Sequence, residues 1–391
     1  MIIPKLALRN LLGAGLKTWL NVVVLSFAFV AIIWTQGLYK GWDYQGSRAM
    51  IDVACGGGQY WMEKYDPFDP FSLQDAHAGV EGPLKTLVET GKATPVLVVQ
   101  GTIYPNGRIQ PTLLKGIDPE QKLLTIPSHV LKKSGPEIPA LIGSRMAQNS
   151  GLKTGDMVTV RWRDTHGTFD ARDLLIVQVM QTIVQSIDSG QVWIPLQELQ
   201  QMADMDGEAT IVVVEKNFGP AETLPGWTFK GLDFLLKDIR EFIQAKSIGS
   251  TILYAILLFL AMLAIFNTQV LSIFRRRKEM GTLMAMGMSR GKVIQLFTLE
   301  GTLHSVLAGV VGAIYGIPLL VLFAVKGMSF PGMADQFGLV LGERIFPIYT
   351  AGLVAGTSLL VLIVTSIVSF LPTRKIARLK PTDALRDKTK W

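Results

Sequence analysis

The chain has 391 residues, of which 49% are apolar and only 18% charged, where ordinary soluble domains carry about a quarter charged residues. Its 38 Lys and Arg stand against 31 Asp and Glu, for a net charge of +7, and it has one cysteine, Cys55. These proportions exclude a disordered chain, a disulfide scaffold and a purely cytosolic enzyme.

In chain order, residues 2–16 set Lys5 and Arg9 among leucines at helical spacing, which predicts an amphipathic helix on the inner membrane face within a cytosolic segment 1–17. Four windows then contain no Asp, Glu, Lys or Arg: Thr18–Tyr39, Ser247–Phe274, Gly301–Val325 and Ile345–Thr373. Each is longer than the roughly 18 apolar residues that mark a transmembrane helix. They predict spans at 18–39, 247–274, 301–325 and 345–373. The first exceeds a signal-peptide core, and no small-x-small site follows it at Tyr39-Lys40-Gly41-Trp42, so it is expected to stay as an anchor.

Between the first two spans, Val- and Ile-rich runs at Pro95–Gln100, Met157–Trp162, Leu174–Val179, Gln191–Ile194 and Thr210–Val214 predict strands, separated by turn signals such as Pro105-Asn106-Gly107. Helices are expected at Gly143–Ser150 and Leu196–Met205. The mixture predicts an α+β domain over 40–246, built in two parts. Leu232, Leu235, Leu236, Ile239, Phe242 and Ile243 then follow helical periodicity, predicting a continuous stalk helix that enters the second span. Cys55 lies well past the first span and reads as a small buried residue, not as a lipid-attachment site or reactive thiol.

Charge is unevenly divided. Segment 1–17 carries Lys5, Arg9 and Lys17 and no acid; segment 275–300 carries Arg275, Arg276, Arg277, Lys278, Arg290 and Lys292 against Glu279 and Glu300; the tail 374–391 is also strongly basic. Block 40–246 is net acidic, and segment 326–344 is balanced by Lys326 and Arg344 against Asp335 and Glu343. Cations beside spans stay in the cytosol, so both termini and 275–300 are expected inside, with 40–246 and the short loop 326–344 outside. Nucleic-acid binding is not expected, because these cations flank spans and lack interleaved aromatics.

Within the spans, Glu300 and His304 are four residues apart, which predicts a local helix pair and not a proton relay. Gly312/Gly316 and Gly352/Gly356 are Gly-x-x-x-Gly patterns that permit close helix approach. Nucleotide chemistry finds no Walker motif: Gly287-Met-Ser-Arg-Gly291-Lys292-Val293 is one residue short and lacks the hydroxyl after Lys. The four histidines (77, 129, 166, 304) form no His-Glu-x-x-His pair, and no Gly-x-Ser-x-Gly elbow exists. Neither a metal site nor catalysis is expected in this chain. The segment after the second span instead predicts a short helix with apolar knobs (Met280, Leu283, Met284) flanked by Gly287 and Gly291, suited to docking in a groove of a soluble partner.

That segment resembles the cytosolic loop of the MacB/FtsX-like ABC permease superfamily, whose pattern is Arg-Arg-x-Glu-Ile-Gly-x-Leu-x-Ala-Leu-Gly-Ala-x-x-x-x-Ile followed by a glutamate. Arg276-Arg277-Lys278-Glu279-Met280-Gly281, Leu283, Ala285-Met286-Gly287, Ile294 and Glu300 match it, with Met at 280 and 286 replacing Ile and Leu. Leu6–Leu12, Ile142–Asp156 and the stretch Leu371–Arg386 are similar to further family segments. The resemblance implies an α-helical membrane protein with four transmembrane helices and a large α+β extracytoplasmic domain of porter and inserted subdomains. It implies residence in the bacterial inner membrane, a separate ABC ATPase dimer holding ATP and Mg, and a second permease subunit, identical or homologous. No cofactor is expected in this chain.

The layout is similar to that of lipoprotein-releasing permeases of the LolC/LolE type, which implies lipoprotein extraction and a periplasmic lipoprotein carrier or adaptor. Export of peptides or small hydrophobic compounds, and a non-transporting sensor or scaffold, are the alternatives. Glu279, Gly281, Leu283, Met284, Met286 and Gly287 are the expected ATPase-coupling residues. Val30, Ile33, Ile252, Ile256, Phe259 and Leu263 are the expected lining of an apolar substrate cavity.

Overall fold

A computed structural model describes residues 15–132, 135–219, 224–329 and 344–377. The expected amphipathic helix over 2–16, most of the loop 326–344 and nearly all of the basic tail lie outside these residues. The chain divides into two compact units, one of helices (residues 1–42, 243–328 and 346–391) and one of mixed α/β structure (43–242 and 329–345).

In the helical unit, α1 spans Leu16–Met50, α2 Lys237–Arg275, α3 Arg277–Ala285, α4 Arg290–Lys326 and α5 Ala351–Ala377. Four of these, α1, α2, α4 and α5, are long and apolar enough to cross a membrane. They share one core in which Val22, Leu25, Phe29 and Ile33 of α1 meet Leu258, Ala261 and Ile265 of α2, Ala308 of α4 and Val361 of α5. Two polar pairs lie across the bundle, where apolar surroundings favour pairing: Asn21 donates to Thr268 Oγ1 at 2.6 Å, and Ser26 and Tyr315 hydroxyls meet at 3.2 Å.

Among the described residues, one of the two glycine pairs makes a contact with another helix. A Cβ on Gly312 or Gly316 would meet Val30 or Ser26 of α1, at 2.6 Å for Gly316 and Val30 Cγ2, whereas Gly352 and Gly356 have nothing within 4 Å. The fourth apolar window starts its helix only at Ala351. Phe346–Thr350 runs instead against α1, where Ile348 N–H donates to Gly37 O at 2.9 Å and the absent Cβ atoms of Gly37 and Gly41 make room for Tyr349 and the Phe346 carbonyl. Continuous helix from Leu232 is also not observed. Leu232–Leu235 forms a separate turn, and the backbone breaks at Leu236 (φ −99°, ψ 2°) before α2 begins.

Among the described residues the mixed unit is built on a nine-stranded sheet: β1 Gly58–Met62, β2 Ala93–Ile103, β3 Gln110–Ile117, β4 Ile138–Gly143, β5 Met157–Arg163, β6 Phe169–Met180, β7 Gln191–Pro195, β8 Ile211–Val214 and β9 Trp227–Lys230. Their order is β9-β1-β8-β2-β3-β7-β4-β6-β5, and β5 returns to pair with β2. Six strands, β2, β3, β7, β4, β6 and β5, therefore close on themselves as a barrel, while β8, β1 and β9 extend the sheet from β2. Closure rests on antiparallel pairing of Gly101–Ile103 with Val160–Trp162; β3–β7 and β4–β6 are parallel.

Period-two alternation sorts side chains between cores. Leu97, Val99 and Ile103 of β2 join Val158, Val160 and Trp162 of β5 in one core, while Val96 and Val98 face a second with Leu141, Trp193, Ile211 and Val213. The five strand-rich runs and both helical pieces read from the sequence are present, the helices as Ser144–Ser150 and Leu196–Ala203. At the start of the first, the buried Asp188 carboxylate accepts from Ser144 N at 2.8 Å and Arg145 N at 3.1 Å, satisfying two of the amides that a helix start leaves unpaired. Cys55 is buried, with 2% of its surface exposed.

Candidate functional site

The segment from Arg275 to Glu300 is a folded corner of the helical unit. After α2 ends, α3 runs Arg277–Ala285 and stops at Gly287, whose φ of +95° is conformational space a glycine enters without strain. Ser289 (φ −66°, ψ 150°) then starts α4. Ile273, Val293, Leu296 and Phe297 form a small core between the end of α2 and the start of α4, with Met284 and Met288 packed against it.

Arg276 joins these parts. Its Nε donates to Glu279 Oε2 at 2.8 Å, and its Nη1 donates to both carboxylate oxygens of Glu300, at 2.9 and 3.1 Å. The guanidinium lies over the Phe297 ring, 5.0 Å from its centroid. Burial opposes the Arg276 charge, but the hydrogen bonds and charges of Glu279 and Glu300 outweigh it, so the pKa is raised. Glu300, with 6% of its side chain exposed, is the buried partner, whereas Glu279 is 62% exposed.

The expected coupling residues are therefore in unlike settings. Met286 is exposed, Glu279 is exposed but tied to Arg276, Gly281 is buried, and Met284 is partly buried against the small core. Gly287 forms the turn, and the Leu283 side chain lies outside the described residues. Arg276, read from sequence mainly as an inside anchor, has the additional role of a fastener. Glu300, the lone acid at the head of an uncharged run, was the available signal. The expected Glu300–His304 pair exists through the backbone: His304 Nδ1 lies 3.0 Å from the Glu300 carbonyl oxygen, leaving the carboxylate to Arg276.

The residues expected to line a substrate cavity are not brought together within one chain. Val30 and Ile33 are buried in the bundle core, Val30 beside Gly316. Ile252, Ile256, Phe259 and Leu263 are 46–59% exposed along the outer face of α2. Among the described residues no cluster of three or more His, Cys, Asp or Glu could hold a metal ion.

Residues 251–381 match the FtsX-like permease C-terminal family, a stretch that begins in α2 and takes in the Arg276 corner, α4 and α5. The match over this stretch, together with the relatives, supports the MacB/FtsX-like ABC permease superfamily. Among curated relatives, it is similar to the macrolide export ATP-binding/permease protein MacB of Sodalis glossinidius, 29% identical over 154 residues, or 39% of this chain and 21% of that protein. It is 23% identical over 249 residues to the MacB of Wolinella succinogenes, 64% of this chain and 33% of the relative. With the MacB of Chromobacterium violaceum the identity is 29% over 157 residues, 39% of this chain and 22% of the relative. The chain thus spans between a fifth and a third of the length of these MacB/FtsX-like relatives.

Proposed function

We propose that this chain is a non-catalytic permease subunit of an ABC transporter, driven by a separate ATPase dimer that binds ATP and Mg and completed by a second permease subunit. One observation carries the reading. The short helix α3 is fastened through Arg276 to Glu300 at the base of a spanning helix, while Met286 beside it is exposed. A partner that grips the exposed side of α3 pulls on α4 through a buried ion pair. Charge distribution supports an inner-membrane orientation with both termini and α3 in the cytosol and the mixed unit in the periplasm.

The cargo we favour is a lipoprotein, passed to a periplasmic carrier or adaptor. Ile252, Ile256, Phe259 and Leu263 give acyl chains an apolar surface on α2 that is exposed in the single chain. A second reading, export of a small hydrophobic compound, is favoured by the relatives, whose name assigns them macrolide export. Photo-crosslinkers at Ile256 and Phe259 in cells test the choice. Lipoprotein adducts that disappear on ATP turnover support extraction; phospholipid adducts alone, with lipoproteins correctly sorted after depletion of the subunit, favour export.

A further inference from the structure

The mixed unit carries a cleft of about 420 Å³ on the outside of the barrel, over the seam where β2 and β5 pair. Cavities of roughly 300–1,000 Å³ with apolar walls and few polar groups are the usual small-molecule sites. Here the walls are Phe71, from a 3-10 turn at Pro70–Gln74, and Phe169, at the start of β6; Thr102 and Arg161, paired across the seam, lie at its floor.

The wall is fixed in place. Residues 66–71 read Asp-Pro-Phe-Asp-Pro-Phe, and the carboxylates of Asp66 and Asp69 each accept the N–H of the phenylalanine two residues on, both at 2.9 Å. Ser72 Oγ bridges the two turns, donating to the carbonyls of Asp66 at 3.0 Å and Asp69 at 2.7 Å. Phe71 is nevertheless 89% exposed. An exposed ring gives the monomer no burial energy, and a turn whose backbone is already held lowers the ordering cost of binding.

Arg161 supplies the polar element. Its guanidinium lies over the Phe169 ring, 4.2 Å from the centroid, and among the described residues it has neither a carboxylate nor a hydrogen-bond partner. Contact with the ring restrains the guanidinium while its N–H groups remain open to an anion, and a guanidinium suits bidentate carboxylate recognition. Neighbouring charges are already engaged: Arg163 donates to Gln74 Oε1 and to Gly167 O, each at 3.1 Å, and Asp164 accepts from Thr168 N at 2.8 Å.

We propose that this cleft binds a small amphiphile with a single carboxylate, its head on Arg161 and its apolar body between Phe71 and Phe169. The site is independent of the transport reading and of the cargo. The full chain in lipid nanodiscs is photolabelled with 4-benzoylbenzoate, with the neutral amide of the same body as control, and adducts are located by peptide mapping. The carboxylate probe is expected to label segments 70–74, 99–104 or 161–169 saturably. Labelling should fall about tenfold or more with the amide probe and in Arg161→Gln, the effect of losing a charge-assisted pair, while Arg161→Lys retains an intermediate level. Equal labelling by acid and amide, labelling unchanged in Arg161→Gln, or adducts confined to the membrane helices would each overturn the assignment.

Discussion

Removing Arg276 should release α3 from the base of α4, and the contacts indicate which of its three interactions dominates. The pair with Glu279 is largely solvated and contributes about 0.2–1 kcal/mol. Stacking on Phe297 adds about 1 kcal/mol. The pair with Glu300 differs: the carboxylate is 6% exposed and the guanidinium 22%, and removing one member of a buried pair costs about 3–5 kcal/mol because the other charge is left uncompensated. Taking about 3 kcal/mol, since Arg276 keeps some water contact, the population with α3 detached rises about a hundredfold in Arg276→Ala. Trypsin cleavage after Lys278 in inside-out vesicles reads that population when opening is fast relative to cleavage. Arg276→Ala should be cleaved about a hundred times faster than the parent, and Glu279→Ala less than about fivefold faster. The double variant Arg276→Ala/Glu300→Gln should recover thermal stability, because no buried charge remains, but should neither re-fasten α3 nor restore stimulation of the partner ATPase. Parental cleavage in Arg276→Ala, or full ATPase coupling in the double variant, would refute the fastening argument.

Lys115 of β3 lies 5.1 Å from the Trp193 ring centroid, and burial pushes its amine down to about 8. Its folded pKa is below the unfolded one, so between about pH 8 and 10.5 the unfolded chain binds more protons and stability rises with pH, by up to about 3 kcal/mol in total. Lys115→Met should be more stable than the parent at pH 7 and lose that alkaline gain, as followed by tryptophan fluorescence during urea unfolding. Gly316→Leu should destabilise the helical unit by about 1–3 kcal/mol through overpacking against Val30, whereas Gly356→Leu should leave monomer stability unchanged; thermal unfolding in detergent compares them. In a Cys55→Ser background, a cysteine at Thr165 should react with a membrane-impermeant thiol reagent in cells with a permeabilised outer envelope, and one at Ser289 should not; labelling of Ser289 would invert the proposed orientation.

Local chemistry was legible in the residues themselves. A run without charge must leave water, so four windows announce four long helices, and the alternation in Met157–Arg163 announces a strand with one buried face. The turn at Gly287 and the helix before it follow from spacing of the same local kind. Strand β3 was missed because Pro111, Lys115 and Gly116 dilute its pattern, and β4 because a short apolar run has no period that separates strand from buried helix.

Partnership required the tertiary structure. Spacing states which face of an element is apolar but not which distant element covers it. Nothing local marks Gly101 as the point where β2 pairs with Thr112 on one side and Trp162 on the other, closing the barrel. The two Gly-x-x-x-Gly pairs look alike in sequence, yet only Gly312 and Gly316 meet α1. Arg276 is one of four consecutive cations, and it pairs with Glu300, 24 residues on, because the chain turns through α3 into α4 and brings that carboxylate beside it. Such contacts form between groups far apart in the chain, so their free energy depends on the packed geometry and leaves no period in the sequence that encodes it.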